Sequence, residues 1–209
     1  MQKKTLLKKT FRKRKKNREK KNPDQKKKHN ARRIASMHTI KIITQGKELL
    51  ALAPEEFLDY VNSLFEEKAL INIDRALTLE EEKEWLKQSA ERMDHGELVM
   101  VLLFVDRKLA GIADAWTGAI TLGHNVTFGI SVRKGQRGKR YGTMLLRTAI
   151  DYAKEYFKPH KMWIEFAEGN GIASDFYQKM GFVRVAKLEE YIFQYGEYRN
   201  KIVMEYRGE

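Results

Sequence analysis

A half-buried strand, a basic loop and an amphipathic helix follow one another without a break between Phe128 and Phe157. Apolar side chains alternate with small or polar ones from Phe128 to Val132, which is typical of a strand with one buried face. The next eight residues, 133–140, contain two glycines and five Lys or Arg. Apolar residues then recur at helical spacing, at Leu145, Leu146, Ala149, Ile150, Ala153 and Phe157. This order predicts an α/β fold in which the loop opens directly onto a helix.

The loop has the features of a phosphate-binding turn. The first backbone N–H groups of a helix are unpaired and lie at the positive end of its dipole, and glycine lets a ligand approach the backbone closely. Five basic side chains within eight residues would also repel one another without an anion nearby. A charged surface loop with a glycine turn would contain the same residues, so the loop alone leaves both interpretations open.

A second helix is predicted between Asn170 and Gly181. Asn170 is a typical N-cap, Gly181 stands where a helix would end, and one face carries Ala173, Phe176, Tyr177 and Met180. A tyrosine on the buried face needs a partner for its hydroxyl. Tyr177 is therefore either a core residue bonded to a backbone carbonyl or a proton donor in a reaction.

Together the two motifs resemble those of the GNAT superfamily of N-acetyltransferases. In that family a Gln/Arg-x-x-Gly-x-Gly/Ala loop binds the pyrophosphate of acetyl-CoA through its amides, and it corresponds here to Arg137 to Gly142. The family's Asn-x-x-Ala-x-x-x-Tyr helix corresponds to Asn170, Ala173 and Tyr177. The resemblance extends over about residues 98–206. It implies that acetyl-CoA is held by Ile130, Val132, Arg137, Gly138, Lys139, Arg140, Tyr141, Gly142, Thr143 and Asn170.

The loop departs from the family pattern at its fourth position, where Arg140 replaces the usual glycine. A positive φ, or a close approach of bare backbone to phosphate, would be unfavourable for an arginine there. With an ordinary backbone angle, the guanidinium would instead add a phosphate contact. We expect the ordinary angle and the added contact, because the rest of the loop is complete.

The resemblance also implies where the acyl group lies. In the family the strand before the loop diverges from the next strand, and the pantetheine arm lies between them, bonded to strand backbone. Here Ile130 and Val132 would supply that backbone, and residues 161–166 would form the second strand. Tyr177 would then protonate the departing thiolate.

The general base is less clear from the family pattern. Its usual strand glutamate falls near Thr127 and Phe128, neither of which is a carboxylate. Glu165 on the second strand is the predicted base, and His124 is the alternative because the ordinary pKa of histidine suits the role. The alternatives without a catalytic role are that Glu165 is a solvated carboxylate on a strand and that His124 is a residue of a turn.

Residues 1–36 differ from the rest of the chain in composition. They hold 17 Lys and Arg against two acidic residues, whereas residues 37–209 hold 24 basic and 26 acidic residues. Such a segment cannot bury enough apolar surface to fold by itself, so a disordered basic tail is predicted. RNA or the ribosome is the predicted partner, through phosphate neutralisation. There are two alternatives to this partner. Residues 1–36 are a solvated extension without a partner, or translation begins at Met37.

Residues 37–209 are predicted to form one domain, with a mixed α/β sheet of six to seven strands flanked by helices. A hairpin is expected around Asp106-Arg107-Lys108 and a last one around Tyr195-Gly196, and helices are expected from Pro54 and from Thr78, which begins a capping box. The second helix carries acids that either attract a cationic amine or form a solvated face, namely Glu80, Glu81, Glu82 and Glu84.

The absence of cysteine excludes a disulfide framework, a cysteine zinc site and an acetyl-cysteine intermediate. No metal is expected, and no stretch is apolar enough to be a signal peptide or a membrane span, which predicts a cytoplasmic protein, either cytosolic or associated with the nucleoid. The predicted function is acetyl transfer from acetyl-CoA directly to a primary amine, on a protein N-terminus such as that of a ribosomal protein, or on a small amine. The alternatives are a non-catalytic acyl-CoA-binding protein tethered to RNA or the ribosome, and transfer of a longer acyl group. Many members of the family dimerise, so the resemblance also allows a homodimer.

Overall fold

The computed structural model describes residues 37–208. This part of the chain contains seven strands and five α-helices. The strands are β1 His38–Ile43, β2 Leu98–Val105, β3 Lys108–Thr117, β4 Asn125–Val132, β5 Lys161–Ala167, β6 Phe182–Gln194 and β7 Glu197–Tyr206. The helices are α1 Gly46–Leu50, α2 Pro54–Glu66, α3 Leu79–Asp94, α4 Tyr141–Tyr156 and α5 Gly171–Lys179.

The strands form a single mixed sheet in the order β1-β2-β3-β4-β5-β7-β6. Strands β4 and β5 run parallel, and every other neighbouring pair is antiparallel. The predicted mixed sheet of six to seven strands is therefore confirmed, with seven, and so are both predicted hairpins. The predicted disordered tail, residues 1–36, lies outside the described residues.

Helices cover both faces of the sheet. Helices α4 and α5 pack on one face, where Phe128, Leu146 and Tyr177 belong to one apolar core. Helices α1, α2 and α3 pack on the other face, around a second core that includes Tyr60 and Met100. Strand β2 is buried on both faces, which explains its uninterrupted apolar sequence.

The helix boundaries follow local signals in the sequence. Thr78 and Glu81 form the predicted capping box at the start of α3. Asn170 Oδ1 accepts a hydrogen bond from the backbone N–H of Ala173 at 3.2 Å, which caps α5. Gly181 follows α5 with a φ of 89°, a conformation that favours glycine.

No helix between residues 37 and 208 is both long enough and apolar enough to span a bilayer.

Candidate active site

Strands β4 and β5 pair over only part of their length. Their parallel register ends at the pair Phe128↔Ile164. Beyond this point β4 stays with β3 as far as Val132, whereas β5 stays with β7 as far as Ala167. The two strands therefore diverge from Gly129 onward, as the family resemblance led us to expect, and an opening lies between their carboxyl ends.

The backbone of β4 presents polar groups to this opening. Arg133 donates its N–H to the carbonyl oxygen of Ala110 on β3 at 2.9 Å. Because the polar groups of a strand alternate between its two neighbours, those of Ile130 and Val132 point away from β3, toward the opening. The Val132 carbonyl accepts a hydrogen bond from Arg137 Nε at 2.7 Å. Val132 therefore offers a ligand only its N–H, whereas Ile130 offers both its N–H and its carbonyl oxygen.

The basic loop ends in a turn at the start of α4, as predicted. Gly138 and Arg140 have positive φ angles of 74° and 65°, and Arg140 is the N-cap of the helix. The expectation of an ordinary backbone angle at Arg140 is wrong. A left-handed conformation costs a non-glycine residue about 1 kcal/mol, which explains the glycine of the family pattern. A phosphate contact from the Arg140 guanidinium stays a prediction.

Two cations of the loop are paired with carboxylates of the α2 segment. Arg133 contacts Asp59 at 2.6 Å, and Arg137 forms an ion pair with Glu67, which follows α2 and has a side chain only 10% exposed. These carboxylates reduce the repulsion among the five loop cations, so an anionic ligand is not the only possible counter-charge. The sequence did not reveal these pairs, because the partners lie 74 and 70 residues apart in the chain.

Tyr177 is buried on the face of the sheet that carries α4 and α5. Its ring lies 5.2 Å from that of Phe166 on β5 and 5.4 Å from that of Phe176. Burial, and to a smaller extent the negative charge of Asp114, raise the pKa of its hydroxyl well above the ordinary value of 10. Tyr177 therefore carries its proton at neutral pH, as a proton donor must.

The structure places the two predicted bases differently. Glu165 lies on β5 just past the last pair with β4, but its carboxylate forms an ion pair with Lys201 on β7. His124 precedes β4 and lies four residues before Phe128, or about 13 Å along an extended strand. That position is at the closed end of the β4–β5 pairing and argues against direct proton transfer by His124.

Asp114 is a carboxylate at the opening that the sequence analysis missed. It lies on β3 directly opposite Gly129, between the apolar residues Ile112 and Trp116 on the face of α1 to α3. Burial raises the pKa of its carboxyl to about 6. A single acidic residue within the apolar sequence 109–116 was the available signal, since an isolated buried carboxylate is costly and often functional.

A sequence profile described as "Acetyltransferase (GNAT) family" matches residues 59–182, more than half of the chain. This chain belongs to the GNAT acetyltransferase family. The matched segment of this GNAT chain includes the opening, the glycine turn and Tyr177, and the family predicted from the two sequence motifs is confirmed.

One curated relative of this GNAT protein is streptothricin acetyltransferase from Streptomyces lavendulae. The two sequences are 34% identical over 100 residues, which are 46% of this chain and 50% of the relative. The chain thus spans about half the length of the curated relative that it matches.

Solved structures share the GNAT fold at low sequence identity. Ribosomal-protein-alanine N-acetyltransferase from Brucella melitensis superposes with a TM-score of 0.66 at 21% identity, over 80% of this chain and 98% of that one. The protein yncA from Salmonella typhimurium, solved with its cofactor acetyl-CoA, has a TM-score of 0.65 at 19% identity, over 80% and 92%. At these identities the likeness shows the fold alone.

Proposed function

We propose that this protein transfers the acetyl group of acetyl-CoA directly to a primary amine. The observation that carries this proposal is the divergence of β4 and β5 beside a glycine turn at the start of α4. Family membership and the presence of acetyl-CoA in the yncA structure support the choice of acyl donor.

The turn would hold the phosphate end of acetyl-CoA. The backbone N–H groups from Gly138 to Thr143 lie at the start of α4, where unpaired donors and the helix dipole favour an anion. Lys139 and Arg140 add positive charge. Asn170 Oδ1 already accepts the hydrogen bond that caps α5. The NH2 group of the same side chain would therefore be the part that binds the pantetheine arm.

The pantetheine arm would lie in the opening, bonded to Ile130 and to the N–H of Val132. This position would bring the thioester between β4 and β5, next to Tyr177. Tyr177 would hold a proton at its hydroxyl and give it to the thiolate sulfur as the carbon–sulfur bond breaks. The base role of Glu165 stays a prediction from the sequence. The ion pair of its carboxylate with Lys201 weighs against this role.

The acceptor is proposed to be a small amine or a protein N-terminus. The curated relative, a streptothricin acetyltransferase, favours a small amine. The ribosomal-protein acetyltransferase shares the fold alone, so it supports the protein N-terminus less. An RNA or ribosome contact through residues 1–36, and a homodimer, stay predictions from the sequence.

Titration calorimetry of the full chain with acetyl-CoA tests the binding site. We expect micromolar affinity in the wild type and at least a tenfold loss in Arg140→Glu, because a carboxylate would face the phosphates. Lys87→Glu, an identical charge change at an exposed position of α3, is the control and should bind as the wild type does. Absence of binding by the wild type would contradict the proposal.

Thiol release from acetyl-CoA in the presence of amines tests turnover. Streptothricin, spermidine and an alanine-initiated peptide are suitable probes. Tyr177→Phe should lower kcat roughly 100-fold and leave acetyl-CoA affinity unchanged within twofold. Tight acetyl-CoA binding without turnover of any probe would support the alternative of a non-catalytic acyl-CoA-binding protein.

The RNA prediction is tested by binding to ribosomal RNA at 50 and 200 mM salt. Affinity should fall steeply with salt and should be lost in a variant without residues 1–36, because the basic excess of the chain lies there. Binding that ignores salt, or that survives the deletion, would contradict phosphate neutralisation by this segment.

A further inference from the structure

We propose that Asp114 is the general base of this site and that its carboxylate selects a cationic primary amine as the acceptor. The inference rests on the proposed function. It assigns the proton-accepting role to Asp114 in place of Glu165, and it adds the charge of the substrate. Neither the family resemblance nor the sequence motifs point to this residue.

The first step is the position of the carboxylate at the start of the opening. Asp114 pairs with Gly129, the first residue of β4 beyond the last β4–β5 pair. A Cβ on Gly129 would lie 2.5 Å from Asp114 Oδ1 and 3.3 Å from the ring of Trp116. The Asp114 side chain therefore leans across the bare backbone of Gly129, in the direction of β5. Only glycine leaves room for this orientation.

The second step is the placement of acid and base on opposite sides of the sheet. Side chains of β3 alternate between its faces, and Asp114 shares the face of Ile112 and Trp116, beneath α1 to α3. Tyr177 belongs to the core on the other face. The negative charge of Asp114 nevertheless acts on the Tyr177 hydroxyl. The opening between β4 and β5 interrupts the sheet that separates the two faces. A thioester there would have a base on one side and an acid on the other.

The third step is that no side chain forms a hydrogen bond or ion pair with the Asp114 carboxylate within residues 37–208, and only its own backbone N–H bonds to it. Its surroundings are apolar or neutral, with Met100 opposite it on β2 and Gly129 opposite it on β4. The charged and titratable groups that act on it are Arg92 from α3 and Tyr177 from α5. Asp114 lies deep among protein atoms yet is only half-buried by surface exposure, as expected for a side chain that lines a crevice.

These surroundings suit a base that works near neutral pH. Burial raises the pKa of the Asp114 carboxyl to about 6, so the group is ionised at pH 7 but still binds a proton readily. A buried carboxylate without an ion-pair partner in contact also favours a cation, such as an ammonium group, as its ligand. Glu165 differs on this point because Lys201 already neutralises it.

The proton balance of the reaction is complete with these two residues. An ammonium acceptor loses two protons while its nitrogen forms a bond to the acetyl carbon and the carbon–sulfur bond breaks. Asp114 takes the first proton and releases it to water. The second proton leaves the attacking nitrogen through water and replaces the one that Tyr177 gives to the thiolate.

The test compares Asp114→Asn with Glu165→Gln in the full chain, using streptothricin, spermidine and an alanine-initiated peptide as amines. For the wild type, we expect kcat/KM to rise with pH through an apparent pKa near 6. Asp114→Asn should lower kcat/KM roughly 100-fold or more and abolish this dependence on pH, because asparagine cannot accept the proton. Glu165→Gln removes the base predicted from the sequence and should retain the dependence on pH, whatever its effect on kcat/KM.

Two further measurements keep the outcomes distinct. The affinity of Asp114→Asn for acetyl-CoA should equal that of the wild type, and its thermal midpoint at pH 8 should be at least as high, because the amide removes a buried charge. Retention of the pH dependence in Asp114→Asn, or its loss in Glu165→Gln, would overturn the assignment to Asp114. Failure of the wild type to bind acetyl-CoA, or binding without acetylation of any of the three amines, would instead contradict the proposed function itself.

Discussion

Replacement of Glu82 by glutamine is expected to stabilise the protein by an amount that depends on pH. Glu82 lies near the start of α3 with 3% of its surface exposed, and no partner within residues 37–208 binds its carboxylate. Burial raises the pKa of this carboxyl from 4.5 to about 7. Because the folded state then binds the proton more tightly than the unfolded state, stability is lost as the pH rises from about 4.5 through about 7.

The magnitude follows from the change in pKa. A displacement from 4.5 to about 7 corresponds to about 3 kcal/mol for the ionised form. Nearby water and the positive end of the α3 dipole offset part of this cost, so we expect about half, or ~1.5 kcal/mol, at pH 8. At pH 5 the carboxyl in the folded protein is mostly protonated and resembles an amide. The unfolded carboxyl is already largely ionised at pH 5, so the difference between Glu82→Gln and the wild type should fall to about 0.7 kcal/mol there, roughly half of its value at pH 8.

Urea unfolding at pH 5, 6, 7 and 8 measures this difference. Glu84→Gln is the matched control, since Glu84 lies on the same helix, is exposed and accepts a hydrogen bond from Gln88 at 2.9 Å. Its effect should be small and independent of pH. A Glu82→Gln effect that is equal at pH 5 and pH 8, or a loss of stability at pH 8, would refute the assignment of an unpaired buried carboxylate.

Substitutions at three other positions test the loop and the opening. The free energy of unfolding in urea titrations should be about 1 kcal/mol higher for Arg140→Gly than for Arg140→Ala. Both variants lack the guanidinium, and only alanine is strained at a φ of 65°. Equal stability would contradict a left-handed residue at this position. Glu67→Gln should tighten acetyl-CoA binding roughly three- to tenfold in calorimetry at low salt, because it frees Arg137 and removes an anion near the phosphates; weaker binding would mean that the pair is needed to hold the loop. Gly129→Ala should lower kcat/KM at least tenfold by displacing the Asp114 carboxylate, and normal turnover would exclude the orientation described above.

The acids of α3 illustrate how far sequence reasoning reaches. Their spacing predicted the helix and its capping box. Three of them lie toward solvent, as the solvated-face interpretation expects, and the structure also gives each of them a local partner. Glu80 pairs with Lys83, Glu81 pairs with Arg75 and caps the helix, and Glu84 bonds to Gln88. The fourth, Glu82, is buried. Sequence alone could not separate it from its neighbours, because burial depends on which side of the helix packs against the sheet.

The sequence by itself determined the features that depend on near neighbours in the chain. Alternation predicted the strands, helical spacing and caps predicted the helices, and two short motifs identified the GNAT family, since each of these signals extends over a few residues. The tertiary structure alone decided the features that join distant segments. It paired Arg137 with Glu67, tied Glu165 to Lys201, and brought Asp114 across Gly129 to the opening. The free energy of a charge depends on the atoms packed around it, and folding brings those atoms together from segments that the sequence keeps far apart.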